Sequence, residues 1–196
     1  IQLNEETVSA GSPYKNYNPE AKGALSTIRQ LIFDGKFPEA QEMAGEKILS
    51  KNGFGMPYQT GGSLRLNFDG HDTYTDFRRD LDIEKAVATT TYTVDGVSYK
   101  REIFTSFTDQ LVVVRLTASK PGKLTFTTAL TCPQKVTVST SGKDRMSLEG
   151  TTKGDEFTPG AVRFRADLKL DIQGGKSLAT DTLLSVTNAN SATIYI

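Results

Sequence analysis

The chain has 196 residues, enough for one domain with its own hydrophobic core, and its 23 basic and 23 acidic side chains cancel at pH 7. This balance provides no field to recruit nucleic acid or an anionic membrane, and no apolar run approaches the ~20 residues of a membrane span. The charge balance and the lack of a span therefore predict no nucleic acid and no membrane partner. One cysteine excludes an internal disulfide, and one cysteine with one histidine disfavours a zinc site. An all-oxygen calcium or magnesium site stays open, but no loop of the D-x-D-x-D-G type is present, so we expect no metal and no cofactor.

Hydrophobic periodicity predicts a helical hairpin at about residues 18–50. The triplet "NPE" at 18–20 has the pattern of an N-cap residue, a proline at the first helical position and an acid in the first turn. Hydrophobic residues recur at helical spacing as far as Ile32, and Gly35 ends this helix. A second helix is predicted from about 37 to 50, followed by "KNGFGMP" as the exit loop.

Beyond this loop the hydrophobic period changes from 3.6 to two, which is typical of strands. The segment "ATTTYTVDGVSYKREIF" predicts a β-hairpin, because Asp95-Gly96 suits the positive φ angles of a type I′ turn. The clearest alternation of hydrophobic and polar residues runs over 162–170. About ten short strands are predicted in all, separated by turns such as "KPGK" and "QGGK".

These patterns predict a mainly β fold, an antiparallel β-sandwich with a short helical hairpin near the N-terminus. We expect residues 1–196 to form a single domain, with the sandwich over about 58–196. The chain begins without methionine and ends inside the alternating run "SATIYI". This suggests a domain excised from a longer, multidomain protein.

The stretch "GHDTYTDFRRDLDIE", residues 70–84, contains the only histidine together with five acidic residues. As an active site it would supply a carboxylate pair for glycoside hydrolysis, roughly 6.5–9.5 Å apart in inverting enzymes, with His71 as a general base. As a polar loop and edge strand it would pair its two adjacent arginines with neighbouring aspartates, since a planar guanidinium suits bidentate contacts. The pattern favours the second interpretation.

The segment "IQLNEETVSAGSPY" places several polar side chains before a Gly-Ser-Pro turn. Such residues are either ligands at the mouth of a site or groups that cap the turn and satisfy backbone hydrogen bonds, and both interpretations stay open. Further along, Gly61-Gly62 lacks the pattern of a phosphate loop and is expected where two backbones approach closely.

Several segments, taken together, resemble one known family. They are "IQLNEETVSAGSPY", "IRQLIFDGKFPEAQEMA", "PYQTGGSLRLNF", "FRRDLDIEKAVATTTYTVDGVSYKREIFTSFTDQLVVVRLTASKPGKL" and "GAVRF". In this order and spacing they resemble the N-terminal domain of family 95 glycoside hydrolases, which are chiefly α-L-fucosidases with some members that act on α-L-galactosides. The resemblance runs from residue 1 to about 165 and more loosely to the end.

The resemblance implies a β-supersandwich that packs against a larger (α/α)6-barrel catalytic domain of an inverting enzyme. The family's acid glutamate and water-activating asparagines and aspartate belong to the barrel, so no catalytic residue is implied in this chain. The segment "FRRDLD" matches a motif of the N-terminal domain. His71, Arg78, Arg79 and Asp80 thereby become candidates for the domain interface.

On this basis we expect the chain to brace the barrel and to line part of its substrate cleft. The candidate cleft residues are Asn4, Glu5, Thr7, Tyr58 and Gln59. The implied partners are the barrel and a fucosylated or galactosylated glycan, and the implied location is the periplasm or the exterior of a bacterium. The alternatives are a stand-alone carbohydrate-binding module and a purely structural spacer.

One departure from the family pattern falls on Ser9, where relatives usually carry tryptophan. An aromatic ring of this kind buries about 150–250 Å². Its loss alters substrate preference if the position lines a sugar pocket, and it weakens local packing if the position faces the core.

Overall fold

The computed structural model describes residues 1–50 and 55–196. The predicted mainly β fold with a short helical hairpin is confirmed, whereas the exit loop "KNGFGMP" lies partly outside the described residues. The described chain divides into two compact units. The larger unit consists of Ile1–Glu6, Thr60–Thr151 and Arg163–Ile196, and the smaller one of Thr7–Gln59 and Thr152–Val162.

Two helices and thirteen strands are present in the described residues. In chain order they are β1 (Gln2–Leu3), α1 (Ala21–Phe33), α2 (Phe37–Lys47), β2 (Gly62–Asn67), β3 (Thr75–Asp82), β4 (Val87–Val94), β5 (Val97–Ser106), β6 (Leu111–Ala118), β7 (Leu124–Thr131), β8 (Val136–Ser141), β9 (Arg145–Thr151), β10 (Arg163–Gln173), β11 (Lys176–Ala179), β12 (Leu184–Ala189) and β13 (Ser191–Tyr195).

The larger unit is a sandwich of two antiparallel sheets. The smaller sheet has five strands in the order β1-β2-β7-β12-β11, and the larger has eight in the order β3-β4-β5-β6-β13-β10-β9-β8. Alternate side chains of both sheets form one hydrophobic core. Its largest fully buried members include Leu64, Leu116, Leu124, Met146, Leu148, Leu168, Leu184 and Ile194.

The predicted turn and close approach are both present in this unit. Val94 pairs with Val97 across the two-residue turn, where Gly96 has a φ of 68°, so the Asp95-Gly96 hairpin is confirmed. Gly62 has a φ of 129°, and a Cβ at this position would lie 2.9 Å from the backbone oxygen of Thr131. Only glycine therefore fits where β2 meets the end of β7.

The face of the larger sheet that forms the core becomes increasingly exposed to solvent towards β3. Leu81, Ala88, Ile103 and Val114 are successive cross-strand partners, so they share one face of the sheet. Val114 is 0% exposed, Ile103 and Ala88 are half-buried, and Leu81 is 65% exposed. Hydrophobic side chains therefore continue along this face from the buried central strand β6 to the edge strand β3, where they are exposed.

The smaller unit contains the helical hairpin, whose first helix begins later than predicted. The N-cap residue of α1 is Glu20, so the prediction of Asn18 as N-cap is wrong. Asn18 is buried instead, and its side-chain amide donates to the carbonyls of Glu46 (3.1 Å) and Leu49 (3.2 Å) at the end of α2. The side-chain oxygen of Asn18 also accepts from the backbone N–H of Glu20 at 3.1 Å, so this one residue links the start of α1 to the end of α2. Helix α2 itself ends at Lys47 rather than near residue 50.

The segment 152–162 connects β9 to β10 and belongs to the smaller unit. The backbone N–H of Gly11 donates to the carbonyl of Lys153 at 2.8 Å, and the N–H of Ala161 donates to the carbonyl of Gly11 at 2.9 Å. The hydroxyl of the buried Thr152 also donates to the carbonyl of Gly11, at 3.3 Å. Residues distant in sequence therefore share a compact backbone network.

Candidate functional site on the edge of the larger sheet

His71 lies in the loop before β3 and packs within a group of aromatic rings. The ring centroids of Phe68, Tyr92 and Tyr99 lie 5.3, 5.6 and 4.5 Å from that of the imidazole. Tyr92 and Tyr99 face each other in register across the β4–β5 hairpin, and both are buried. These contacts leave His71 half-buried at the end of the sandwich core.

Arg101 joins these four residues, and the five together are called the His71 cluster below. The guanidinium carbon of Arg101 lies 4.3 Å from the ring centroid of Phe68 and 5.1 Å from that of Tyr92. Its Nη2 donates to the Tyr92 hydroxyl at 2.8 Å, and this hydroxyl lies 2.9 Å from Nδ1 of His71. Because the hydroxyl oxygen accepts from Arg101, its proton is available for Nδ1, which fits a neutral imidazole protonated on Nε2.

The surroundings of His71 lower its pKa below the usual value of 6.5. Burial of the imidazole is the main cause, and the positive charge of Arg101 adds to it, while Asp72 and Asp95 act in the opposite direction. His71 is therefore neutral at pH 7, with Nδ1 engaged by Tyr92. No carboxylate of the described residues is hydrogen-bonded to this imidazole, so the contacts expected of a histidine–carboxylate pair are not made.

The acidic residues of the same stretch make local contacts. Asp82 accepts hydrogen bonds from the backbone N–H groups of Glu84 (3.1 Å) and Lys85 (3.0 Å) and from Nζ of Lys85 (3.0 Å). These bonds hold the turn between β3 and β4 and lower the pKa of Asp82, with the backbone N–H of Lys85 as the largest cause. Among the described residues, no group of three His, Cys, Asp or Glu side chains could hold a metal ion.

The predicted interface residues of β3 lie on both faces of an exposed edge strand. Nη2 of Arg78 lies 3.4 Å from Oδ1 of Asp80, and both side chains are exposed. Arg79 pairs with Thr90 on the opposite face, and its guanidinium makes no hydrogen bond or ion pair with any described residue. The expected arginine–aspartate pairing thus occurs once, at the surface, and away from the His71 cluster.

Large hydrophobic side chains accompany these charges on and beside β3. Tyr74, Phe77, Leu81 and Ile83 are all exposed, and Ile83 is 86% exposed. The rings of Tyr74 and Phe77 contact each other with centroids 5.4 Å apart. We call Tyr74, Phe77, Arg78, Arg79, Leu81 and Ile83 the β3 edge surface. Apolar side chains grouped on an edge strand, which has no neighbour on one side, are typical of an interaction site.

The predicted cleft residues are divided between the two units. Asn4 and Glu5 follow β1 in the larger unit, and both side chains are exposed. Thr7, Tyr58 and Gln59 belong to the smaller unit. Within that unit the carbonyl of Thr7 accepts from the backbone N–H of Ser9 at 3.0 Å, and Tyr58 is 52% exposed.

Gln59 is occupied in holding the 152–162 segment. Its Oε1 accepts from the backbone N–H of Lys153 at 3.0 Å, and its Nε2 donates to the carbonyl of Lys153 at 3.5 Å. The backbone N–H of Gln59 also donates to the carbonyl of Val8 at 3.0 Å. The side-chain amide of Gln59 thus makes with the backbone of Lys153 the two hydrogen bonds that a neighbouring strand would otherwise make.

Ser9, at the position of the family's tryptophan, lies between the buried Val8 and Ala10. It forms an isolated antiparallel bridge with the exposed Tyr58 and is itself half-buried. In an extended segment alternate side chains point to opposite sides, so Ser9 points away from the side that buries its neighbours. This placement disfavours the interpretation in which the position faces the core.

The sequence analysis missed Arg101, Tyr92 and Lys153. A signal for Arg101 was present, because it occupies a position whose alternating neighbours Tyr99 and Ile103 face the core. A charged residue at such a position requires a specific partner. Lys153 contributes only backbone groups to the Gln59 contact, so its side-chain identity carries no signal.

Over residues 1–196 the chain matches the family described as "Glycosyl hydrolase family 65, N-terminal domain". The sandwich and this match define the class of protein as the N-terminal domain of a glycoside hydrolase. The chain belongs to the glycosyl hydrolase family 65 N-terminal domain family. No helix of the described residues combines the length and hydrophobicity needed to cross a membrane.

Three curated relatives are similar to the chain. Alpha-L-fucosidase 2 of Arabidopsis thaliana is 39% identical over 132 residues, which cover 64% of this chain and 15% of the relative. Probable alpha-fucosidase A of Aspergillus oryzae is 23% identical over 206 residues, which cover 100% of this chain and 28% of the relative. The protein of the same name from Aspergillus niger is 28% identical over 126 residues, which cover 61% of this chain and 15% of the relative. The chain thus spans less than a third of each relative.

Proposed function

We propose that the chain is the non-catalytic N-terminal domain of an inverting α-L-fucosidase-type glycoside hydrolase of family 95. In this proposal the domain braces an (α/α)6-barrel catalytic domain and lines part of its substrate cleft. The partners are the barrel and a fucosylated or galactosylated glycan. The observation that carries the proposal is the family match over the whole chain, together with three relatives that are named as fucosidases.

The contacts made by residues 70–84 support a non-catalytic domain. His71, the only histidine, is engaged with the Tyr92 hydroxyl, and Asp82, at the far end of β3, holds a turn. An inverting glycosidase needs two carboxyl groups on either side of a substrate-filled gap. The contacts of residues 70–84 are instead those of a folded edge strand and its loop.

The β3 edge surface supports the bracing role. It combines exposed hydrophobic side chains with an arginine, Arg79, that has no ion-pair partner among the described residues. Interfaces are enriched in aromatic residues and arginine at their centres. A catalytic domain with apolar and acidic side chains would complement this surface.

The bracing role is tested by substituting Phe77→Ser and Leu81→Ser together, both in the 196-residue chain and in the longer enzyme that contains it. If the surface packs on the barrel, the substitution destabilises the longer enzyme by ~2 kcal/mol or more beyond its effect on the chain alone. Phe107→Ser is the matched control, since Phe107 is 91% exposed in the β5–β6 turn. Equal destabilisation in both contexts contradicts the bracing role.

The cleft-wall role is tested separately by Asn4→Ala and Glu5→Gln in the longer enzyme. A direct contact with the glycan predicts a higher KM or a lower kcat for at least one variant, with unchanged thermal stability. Gln59→Ala is expected to act through the loss of its contact with Lys153, and therefore to lower stability as well as activity. Unchanged kinetics for both Asn4 and Glu5 variants contradict this part of the proposal.

Three finer features stay predictions: the family 95 assignment, a bacterial source, and export to the periplasm or the exterior. The stand-alone carbohydrate-binding module is distinguished by measuring binding of the 196-residue chain to fucosylated oligosaccharides by calorimetry. Saturable binding by the isolated chain favours that module. If the isolated chain does not bind the oligosaccharides but the longer enzyme does, the result favours the accessory domain.

A further inference from the structure

A cavity of about 260 Å³ opens between the two sheets of the larger unit, beside the His71 cluster. Its walls are mainly aliphatic, and its polar side chains are those of arginine and threonine. Ile1 also lines it, and the ammonium of this residue donates to the carbonyl of Leu64 at 2.9 Å. The residues that matter here are Leu64, Leu66, Ile103, Thr90, Arg65 and Arg101. Among the described residues that line it, none is acidic. The cavity therefore combines apolar walls with uncompensated positive charge.

The hydrogen-bonding capacity of Arg101 is only partly used. Its Nη2 donates to the Tyr92 hydroxyl, whereas its Nε is buried and has no hydrogen-bond partner among the described residues. Nη1 makes no hydrogen bond to a described residue, and it is not among the buried unsatisfied atoms. A guanidinium carries five N–H donors, and leaving buried donors unsatisfied is costly. This cation is held in place by Phe68 and Tyr92 while part of its donor edge lacks an acceptor.

We propose that this cavity, the Arg101 pocket, binds a small carboxylate with an apolar body. The carboxylate accepts hydrogen bonds from the Arg101 guanidinium, starting at Nη1, and the hydrocarbon part contacts Leu66 and Ile103. A carboxylate is preferred over a neutral ligand because two guanidinium groups line the cavity without a counter-charge. The volume lies below the range of about 300–1,000 Å³ for drug-sized ligands, so the acid has few carbon atoms.

The His71 cluster provides a reporter for this binding. The charge of Arg101 contributes to the lowered pKa of His71, and both residues share the Tyr92 hydroxyl. A bound carboxylate cancels that charge and should therefore raise the pKa of His71. The other charged groups that act on this imidazole are Asp72 and Asp95, which are present with and without ligand. Since His71 is the only histidine, its NMR signals need no assignment by mutation.

The experiment titrates the 15N-labelled 196-residue chain with sodium propionate, and in parallel with the uncharged propionamide at the same ionic strength. Propionate is expected to shift the Arg101 Nε–Hε signal saturably and to raise the pKa of His71, whereas propionamide does neither. The affinity for propionate should fall about tenfold or more in Arg101→Gln, since a charge-assisted hydrogen bond is lost. The control Arg115→Gln, at an exposed arginine of β6 outside the cavity lining, should change it by less than about threefold.

The absence of a saturable response to propionate, or an equal response to propionamide, overturns the proposal. Saturation that persists unchanged in Arg101→Gln also overturns it, because the carboxylate would then bind elsewhere. If Arg101→Gln does not fold, the comparison of propionate with propionamide on the unmodified chain decides the question. None of these measurements depends on the longer enzyme, so their outcome is independent of the proposed fucosidase role.

Discussion

The two halves of residues 70–84 both contain aspartates but have contrasting surroundings. His71 is half-buried among aromatic rings and shares a hydroxyl with Arg101. The following strand, β3, is exposed along its length and shows hydrophobic side chains to solvent. A dense run of charged residues is therefore not by itself a sign of catalysis. Its first half completes a core, and its second half is a surface suited to a partner.

The largest expected effect comes from removing the ring that supports the His71 cluster. Phe68→Ala should lower the free energy of unfolding by ~3–5 kcal/mol, because a buried ring and its contact with the Arg101 guanidinium are both lost. The matched change Phe77→Ala on β3 should cost less than ~0.5 kcal/mol in the isolated chain. Urea unfolding followed by circular dichroism measures both. Similar costs for the two variants would remove the distinction between the halves.

A smaller effect is expected when only the shared hydroxyl is removed. Tyr92→Phe leaves Nη2 of Arg101 and Nδ1 of His71 without their partner, at a cost of ~1–3 kcal/mol. Tyr74→Phe, which alters an exposed ring beside β3, should change stability by less than ~0.5 kcal/mol. The same unfolding assay applies. A neutral Tyr92→Phe would mean that water replaces the hydroxyl at no cost.

The pKa of His71 predicts a pH dependence of modest size. Its value in the folded chain lies below the usual 6.5, so above pH 6.5 the imidazole is neutral in both states and the chain has its full stability. As the pH falls from 6.5 to the folded-state pKa, the unfolded state binds the proton first and stability declines. His71→Gln should remove this slope between those two values. A slope that persists in the variant must come from other groups.

The smallest effect is expected at the exposed ion pair of β3. Asp80→Asn separates Arg78 from its carboxylate, and such surface pairs contribute ~0–1 kcal/mol. In the isolated chain we expect a change within ~0.5 kcal/mol that vanishes at high salt. Thermal unfolding at low and high ionic strength measures it. A larger, salt-independent loss would show that this pair is more than a surface contact.

Local features of the fold could be predicted from the sequence, and long-range ones could not. The two-residue Asp95-Gly96 turn fixes Val94 opposite Val97, and the same register places Tyr92 opposite Tyr99. The contact of Arg101 with Phe68 escaped prediction because Phe68 follows a strand of the other sheet. The order of strands in each sheet also depends on such distant pairings, which hydrophobic alternation does not encode.

The candidate site was predicted in part for the same reason. The pairing of Arg78 with Asp80 follows from their spacing on one face of a strand. The use of the Gln59 amide by the backbone of Lys153 required knowledge of which distant segment lies beside it. Likewise, the sequence around Asn18 indicated a role at the start of α1, but not that its amide group also donates to the carbonyls at the end of α2.

Hydrogen exchange tests the contrast between the two halves most directly. Amide exchange rates of residues 70–84 would be compared between the 196-residue chain and the longer enzyme that contains it. We predict that amides of β3 and the following turn exchange more slowly in the longer enzyme, because the β3 edge surface is covered there. The amide of His71 should be unchanged. Equal exchange of β3 in both proteins would contradict the account that this edge binds the catalytic domain.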